Sequence, residues 1–367
     1  MTTAAAPAPR VIICGGGIVG VSTAYYLVKL GCKATILERH SVAACASGKA
    51  GGFLAKDWND RSPVGALSRV SFDLHDKLAW ELGAETIDYR RLSCIGVSVS
   101  ERPSDAPPQR KLEQSSVQWD RVDSAATPQQ MGDAKTIAQV HPAKLTRAMA
   151  DAAVAAGASV RIATVTGVRA GAPAFVTLAD GETLEADAVL IAMGPWSDQL
   201  EGGLQLPEML GQKYHSLCLQ IERTLDQAVF FHGRGDIEIY PRPRGEVYVT
   251  GYTGDPPQRV TELPGAVEVR ESKLEPQEQL ARTLCADLKD AKRIGEQSCY
   301  LPITLNGVPA IGRVPGAPGV FVGAGHGCWG ILNGPATGLA LTELIMHGKA
   351  RCVSLDAFEP RGRTRRA

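Results

Sequence analysis

The sequence carries no excess of charge: 367 residues hold 39 Lys+Arg against 39 Asp+Glu, a formal net charge of +0. That balance argues against nucleic acid as a partner, since a nucleic-acid binder needs a basic face. It also lacks metal spacing. None of its 9 cysteines forms a CxxC pair, and the number is odd, so no zinc site or other metal site is expected. Free thiols in a reducing, intracellular compartment are expected instead, with the cytoplasm ahead of an organelle. No apolar run approaches the ~20 residues of a membrane span. The longest, such as Ala188–Met193, suit a buried strand. Met1–Arg10 has no apolar core of secretory length. The last residues, Arg361-Gly-Arg363-Thr-Arg365-Arg366-Ala367, do not form a Ser-Lys-Leu address. Residues 353–367 read as a solvated basic tail. Charged residues at 21% against 44% hydrophobic exclude disorder and fit a large core divided between two interleaved domains.

What is abundant is glycine, 39 of 367 residues, against a usual ~7%. The first cluster follows a short apolar strand, Arg10–Cys14, as Gly15-Gly16-Gly17-Ile18-Val19-Gly20. A helical pattern runs from there to Leu30-Gly31, and a second strand, Lys33–Leu37, ends in Glu38. This order of strand, GxGxxG, helix, strand and acid is a dinucleotide-binding unit. Gly15 permits the tight turn, Gly17 lets a pyrophosphate approach the backbone, and Gly20 lets helix and strand pack closely. The free N–H groups and dipole of the helix start favour phosphates, and Glu38 can accept hydrogen bonds from a ribose diol. The unit alone does not separate NAD from FAD. Its position at the N-terminus, and the glycine-rich loop Ala46-Ser47-Gly48-Lys49-Ala50-Gly51-Gly52 behind the second strand, suit an extended cofactor whose flavin end needs its own cradle.

Further along, residues 59–82 have a helical apolar spacing. Residues 102–110 form a proline-rich surface loop, and His141-Pro142 opens an alanine-rich helix with Pro142 in its first turn. Strands are expected over 159–165 and 174–178. A fully apolar strand, 188–192, ends in Met193-Gly194-Pro195-Trp196-Ser197, the carboxyl edge at which doubly wound sheets place ligands. Residues 210–255 read as an antiparallel meander (217–222, 230–232, 237–240 and 246–252), closed by a helix over 276–289. The second strong signal is a strand over 319–322 feeding Gly323-Ala324-Gly325-His326-Gly327-Cys328-Trp329-Gly330-Ile331-Leu332-Asn333-Gly334-Pro335. A helix is expected over 336–346 with Asn333 as N-cap and Pro335 in its first turn. Such a helix start, lined by small residues, would stabilise the negative charge that a reduced flavin gathers near N1.

With these motifs the chain resembles the FAD-dependent D-amino-acid oxidase superfamily, in the branch of glycine oxidase, sarcosine oxidase and D-amino-acid dehydrogenase. The resemblance covers nearly all of residues 10–350. It rests on GGGIVG with Glu38-Arg39, on the 46–52 loop and on Gly194-Pro195-Trp196-Ser197. Asn306-Gly307-x-Pro309-x-Ile311-Gly312 and GAGHGCWGILNGPATG complete it. A closer similarity is to poorly characterised fungal and plant FAD-dependent oxidoreductases, through 46–54, Val140-His141-Pro142, Tyr240-Pro241-Arg242-Pro243 and Cys328–Asn333. The resemblance implies an α/β plus α+β fold: a discontinuous, Rossmann-like FAD-binding domain of GR2 type, over 1–90, 141–209 and 300–352, and an antiparallel-sheet substrate domain over 91–140 and 210–299. It implies oxidation of the C–N bond of an amine or amino acid by hydride transfer to flavin N5, with oxygen as acceptor and hydrogen peroxide as product. A dehydrogenase with another acceptor, or a flavin-binding interaction or trafficking protein, are the alternatives. No acid–base residue is obligatory, because the cofactor carries the chemistry. Cofactor contacts are expected from Gly15, Gly17, Ile18, Val19, Gly20, Glu38, Arg39, Ser47, Gly48, Gly51, Gly52, Val165, Gly194, Trp196, Gly325, His326, Gly327, Gly330 and Ile331.

The chain departs from the pattern at the substrate end. Amino-acid members clamp the substrate carboxylate with arginine. The residue before the matching proline, Pro302, is Leu301, and a second arginine position falls near Cys328 or Trp329. Arg242 is the candidate replacement clamp, Tyr240 and Tyr252 are candidate pocket hydroxyls, and His326 and Trp329 are candidates to face the flavin. Cys299 falls where sarcosine oxidase-like enzymes attach FAD covalently, although noncovalent FAD is the expectation. The partner expected is a small amine or amino acid, and the oligomeric state is left open.

Overall fold

A computed structural model describes residues 8–99, 118–119, 128–233, 235–252 and 254–361. The expected loop over 102–110 lies outside the described residues. Two large sheets dominate. The first has six strands in the order Ala310–Arg313, Val320–Ala324, Ala188–Ile191, Arg10–Cys14, Lys33–Glu38 and Ser159–Ile162, all parallel except the first pair. It is buried on both faces, which is why its strands are apolar without alternation. Val11 and Ile13 point to the side covered by the helices Ile18–Lys29, Gly65–Leu82, Pro142–Ala155 and Gly330–His347. Ile12 and Cys14 point to the opposite side, where a three-stranded antiparallel meander (Val165–Arg169, Ala174–Leu178, Thr183–Ala186) covers them with Val168, Val176 and Leu178. Each large side chain buried in this way contributes about 1.5–3 kcal/mol.

The second sheet has seven strands in the order Lys292–Thr304, Met209–Gln220, Glu246–Thr250, Glu238–Pro241, Gln227–His232, Ser93–Ser98 and Gln129–Gly132. The meander expected over 210–255 is present, but the sheet is mixed. Gln227–His232 runs parallel to Ser93–Ser98, because the chain enters this sheet twice. One face packs on the helix Glu271–Leu284, through Leu274, Leu280 and Leu284. The other face carries Tyr240, Tyr248, Phe230 and Cys218 toward a small sheet of Phe53–Ala55, Ile137–Gln139 and Arg90–Arg91.

Several expected boundaries move. The helix expected from residue 59 begins at Gly65, after Pro63, which breaks the preceding turn. The strand expected over 159–165 is two strands in different sheets, Ser159–Ile162 and Val165–Arg169. The helix expected over 276–289 is Glu271–Leu284, so Pro276 lies inside it rather than at its start, and a short 3-10 turn, Ala286–Leu288, follows. The glycine-rich loop contains one helical turn, Ala46–Lys49.

The C-terminal helix begins at Gly330, not at 336, with Trp329 rather than Asn333 as its cap. Pro335 has no N–H for the Ile331 carbonyl four residues back. His75 Nε2 from the helix Gly65–Leu82 takes that carbonyl at 3.0 Å and the Leu332 carbonyl at 3.2 Å. Ala336 N–H donates to Ser71 Oγ at 3.0 Å, and Ser68 Oγ donates to Asn333 Oδ1 at 2.9 Å. A neighbouring helix therefore satisfies the groups the proline frees, and the helix runs through it. The segment expected as a basic tail is packed over part of its length: Phe358 is 3% exposed in the first core, and Pro360 lies against Gly312. Residues 362–367 lie outside the described residues. No helix among the described residues is long and apolar enough to cross a membrane.

Candidate functional site

A cleft opens at the carboxyl ends of the parallel strands, where Cys14, Glu38, Ile191 and Ala324 give way to their loops. The sequence stretches that line it are far apart in the chain: 15–19, 37–39, 43–47, 163–166, 192–196, 199–201, 299–302 and 323–328. Fifteen of the expected cofactor residues meet there: Gly15, Gly17, Ile18, Val19, Glu38, Arg39, Ser47, Val165, Gly194, Trp196, Gly325, His326, Gly327, Gly330 and Ile331.

The N-terminal end is built around the first helix turn. Gly15 has φ +115°, and a Cβ there would lie 2.3 Å from the Ala192 carbonyl oxygen, so only glycine fits the turn. Gly17 is different: a Cβ would meet only Ser47 Oγ, at 3.1 Å, and would stand in the cleft. Glu38 Oε2 accepts from Gly16 N–H at 2.8 Å and Oε1 from His40 N–H at 2.9 Å, which fixes the carboxylate at the cleft floor. Ser47 Oγ accepts from Ile18 N–H at 2.9 Å, leaving its own hydroxyl proton to donate into the cleft.

The remaining glycines serve packing rather than the cleft wall. A Cβ on Gly20 would lie 2.1 Å from the Gly15 oxygen, on Gly48 2.0 Å from the Ala43 oxygen, on Gly52 2.0 Å from the Val140 oxygen, and on Gly51 2.4 Å from the Tyr240 ring. None of these four lines the cleft.

At the other end, the 3-10 turn Gly327–Trp329 leads into the helix Gly330–His347, whose first residues face the cleft. His326 is 7% exposed. Its Nε2 lies 3.4 Å from Thr337 Oγ1, and its Nδ1 is buried without a partner. Burial lowers its pKa to about 4, so the ring is neutral and has one unmet hydrogen-bonding nitrogen. Trp196 walls the middle of the cleft, donating Nε1–H to the Glu262 carbonyl at 2.9 Å and meeting Tyr300 edge-on. The Glu262 carboxylate accepts from Lys213 Nζ at 2.8 Å, from Tyr300 and from Glu268 N–H. Burial opposes its ionised form, yet these hydrogen bonds bring it down to about 2.

The substrate-end candidates separate. Arg242 is 4% exposed, pairs with Glu246 at 2.6 Å, and donates to the Ala50 and Gly51 carbonyls at 3.1 and 3.3 Å. Both Nη groups are committed to the protein and Nε is buried without a partner, so it is neither the expected clamp nor a surface arginine. Tyr252 is 42% exposed, has φ +56°, and lies away from the cleft beside Lys213, His215 and Asp255. Tyr240 is buried, gives its hydroxyl to Glu238, and stacks on Phe53 and Tyr248 at 5.3 and 5.7 Å. Trp329 belongs to the same aromatic patch through Trp58, at 6.4 Å. Leu301 does line the cleft, so no cation stands at that position. Cys299 lines it as well, and burial pushes its thiol up to about 12.

Several lining residues were not expected, among them Thr164, Thr166, Gln199, Glu201 and Pro264. Thr166 lies in the strand Val165–Arg169 and Gln199 ends a 3-10 helix, Gly194–Gln199, while Thr164, Glu201 and Pro264 lie between elements, where periodicity carries no signal. Phe53, Trp58 and Glu238 were also missed. Only the packing of one sheet on another brings them together: Phe53 pairs in a different sheet from Glu238, and Trp58 lies in a turn.

Comparison with known proteins gives a consistent picture. Residues 10–344 match the family described as FAD dependent oxidoreductase. A Schizosaccharomyces pombe protein, named provisionally as an oxidoreductase, is 29% identical over 96% of this chain and 98% of its own length. Glycine oxidase of Geobacillus kaustophilus is 28% identical over 91% of this chain and 92% of its own. The crystal structure of glycine oxidase from that organism superposes with a TM-score of 0.80, covering 96% of this chain and 99% of that one, at 25% identity.

Proposed function

The chain belongs to the FAD dependent oxidoreductase family, and from that premise we propose that it oxidises the C–N bond of an amine or amino acid. The observation that carries this reading is the cleft itself: two helix N-termini, at Ile18 and Gly330, open into one cavity built from both ends of the chain. One suits a pyrophosphate and the other a ring that gathers negative charge. The unpartnered Nδ1 of His326 and the open space at Gly17 fit a bound group there.

In this reading Ser47 and the Gly17–Val19 backbone hold the pyrophosphate, Glu38 holds the ribose diol, and Trp196, Gly325, His326 and Ile331 border the flavin. When bound, FAD supplies the acceptor for the hydride leaving the carbon beside nitrogen. The protein supplies position and exclusion of water. The aromatic patch of Phe53, Trp58, Phe230 and Tyr240 keeps the substrate end dry. Cys299, with its thiol held protonated, is unsuited to attack, and FAD is held noncovalently. Oxygen is the final acceptor, giving hydrogen peroxide. The division into a discontinuous FAD-binding domain of GR2 type and a substrate domain is part of the same proposal, and the two sheets support it.

The experiment is to purify the protein, measure released flavin after acid denaturation, and follow oxygen uptake and peroxide with a panel of amines and amino acids. Equal uptake and peroxide confirm an oxidase. Flavin reduction without oxygen uptake assigns a dehydrogenase.

A further inference from the structure

The strand Glu238–Pro241 lies between Gln227–His232 and Glu246–Thr250, with Glu238 opposite Phe230 and Tyr240 opposite Tyr248. Alternation puts all four side chains on one face of the sheet. Two further rings close over that face: Phe53 lies 5.2 Å from Phe230 and 5.3 Å from Tyr240, and Trp58 lies 5.2 Å from Phe230. Trp329 continues the patch from Trp58. The patch adjoins the cleft at two points through chain neighbours, although none of these side chains lines it. Trp329 is flanked by Cys328 and Gly330, which line the cleft, and Gly51, beside the lining residue Ala50, sits against the Tyr240 ring.

Within these rings is one carboxylate. Glu238 is half-buried and accepts the Tyr240 hydroxyl; among the described residues it has no Lys, Arg or His partner. Burial raises its pKa, against the lowering effect of the Tyr240 hydrogen bond. No cation answers it: Leu301 takes one family arginine position and Arg242 is spent on Glu246.

We propose that Glu238 and the surrounding rings of Phe53, Trp58, Phe230, Tyr240 and Trp329 bind the ammonium end of an apolar or aromatic amine that lacks an α-carboxylate, with Glu238 taking the ammonium proton so that the neutral amine's lone pair can expel the hydride. Ring faces attract an organic cation and pack its apolar body. The carboxylate adds a charge-assisted contact in a dry setting. The same carboxylate repels the carboxylate of an amino acid, so selection against amino acids comes from charge as well as from the absent arginine.

This inference rests on the amine-oxidising reading, but its test does not need turnover. The flavin-loaded protein is titrated with benzyltrimethylammonium, with its neutral carbon analogue neopentylbenzene, and with benzoate, following tryptophan fluorescence and the flavin spectrum. The quaternary nitrogen has no lone pair to expel a hydride, so binding is read alone. The cation is expected to bind ahead of the neutral analogue, and benzoate to bind weakest. Glu238→Gln should weaken the cation at least about tenfold, as loss of one charge-assisted contact, with flavin content unchanged. If that variant loses flavin, Trp58→Leu serves instead, weakening the cation and sparing benzoate. Benzoate binding as tightly as the cation, or cation affinity unchanged in these variants, overturns the proposal. Cation binding with no amine oxidised would instead overturn the oxidation reading alone. Oxidation of amino acids without cation binding would do the reverse.

Discussion

At the scale of single residues, the glycines of the first turn divide by what a side chain would strike. Gly17→Val meets only Ser47 and the cleft. It should fold with a near-normal thermal midpoint and contain no flavin; normal flavin content in that variant would remove Gly17 from the cofactor site. Gly20→Ala forces a Cβ to 2.1 Å from the Gly15 oxygen and should lower the thermal midpoint itself. Arg242→Met strands Glu246 beside the buried aromatic patch. It should cost roughly 2–3 kcal/mol, below the fully buried figure because Glu246 is 28% exposed. Its effect should appear in denaturant unfolding, with the relative response to carboxylate and amine ligands unchanged. The N-terminal residues were legible because GxGxxG is a local motif whose spacing is its geometry. Arg242 was not legible as a structural residue, because the Ala50 and Gly51 carbonyls it donates to lie 192 and 191 residues away, and only Glu246 is local.

At the scale of elements, the C-terminal helix shows where local rules stop. Asn333 and Pro335 carry the composition of a helix start, and local propensity placed the boundary there. The helix begins earlier because His75, Ser68 and Ser71, from an element more than half the chain away, satisfy what Pro335 leaves open. His75→Ala removes that donor and leaves a cavity under the helix. It should destabilise by roughly 2–4 kcal/mol and lower flavin affinity, since the first turn of the helix borders the cleft. Loss of stability with unchanged flavin affinity would show that this turn does not hold the cofactor. The parallel strands were legible from their unbroken apolar runs. The single parallel pair in the second sheet was not, because it joins strands more than 100 residues apart, and pattern within a segment says nothing about its neighbour.

At the scale of the whole molecule, buried neutral histidines set the response to acid. Burial lowers His75 to about 4, and His215 to about 4 with Arg270 and Lys213 assisting, from the usual 6.5. The unfolded chain binds these protons near 6.5, and the folded chain resists until about 4. Stability is therefore complete above about 6.5 and falls as pH drops through that window. A fully buried histidine contributes roughly 3 kcal/mol of the loss. Denaturant unfolding between pH 7.5 and 4 should show the decline, and a flat profile would contradict it. The first sheet also joins chain ends: Arg10–Cys14 is bonded to 188–191, which is bonded to 320–324. A fragment ending before residue 310 should not fold, because it loses two strands and the helix packed on Ile18–Lys29.

These scales meet in the claim that one cleft, drawn from both ends of the chain, holds FAD against an amine. The most direct measurement is anaerobic: amines are added to the purified yellow protein and the visible flavin absorption is followed. The account predicts bleaching by an apolar amine and recovery when oxygen is admitted. A protein purified without flavin, or a flavin that no amine or amino acid reduces, would contradict it.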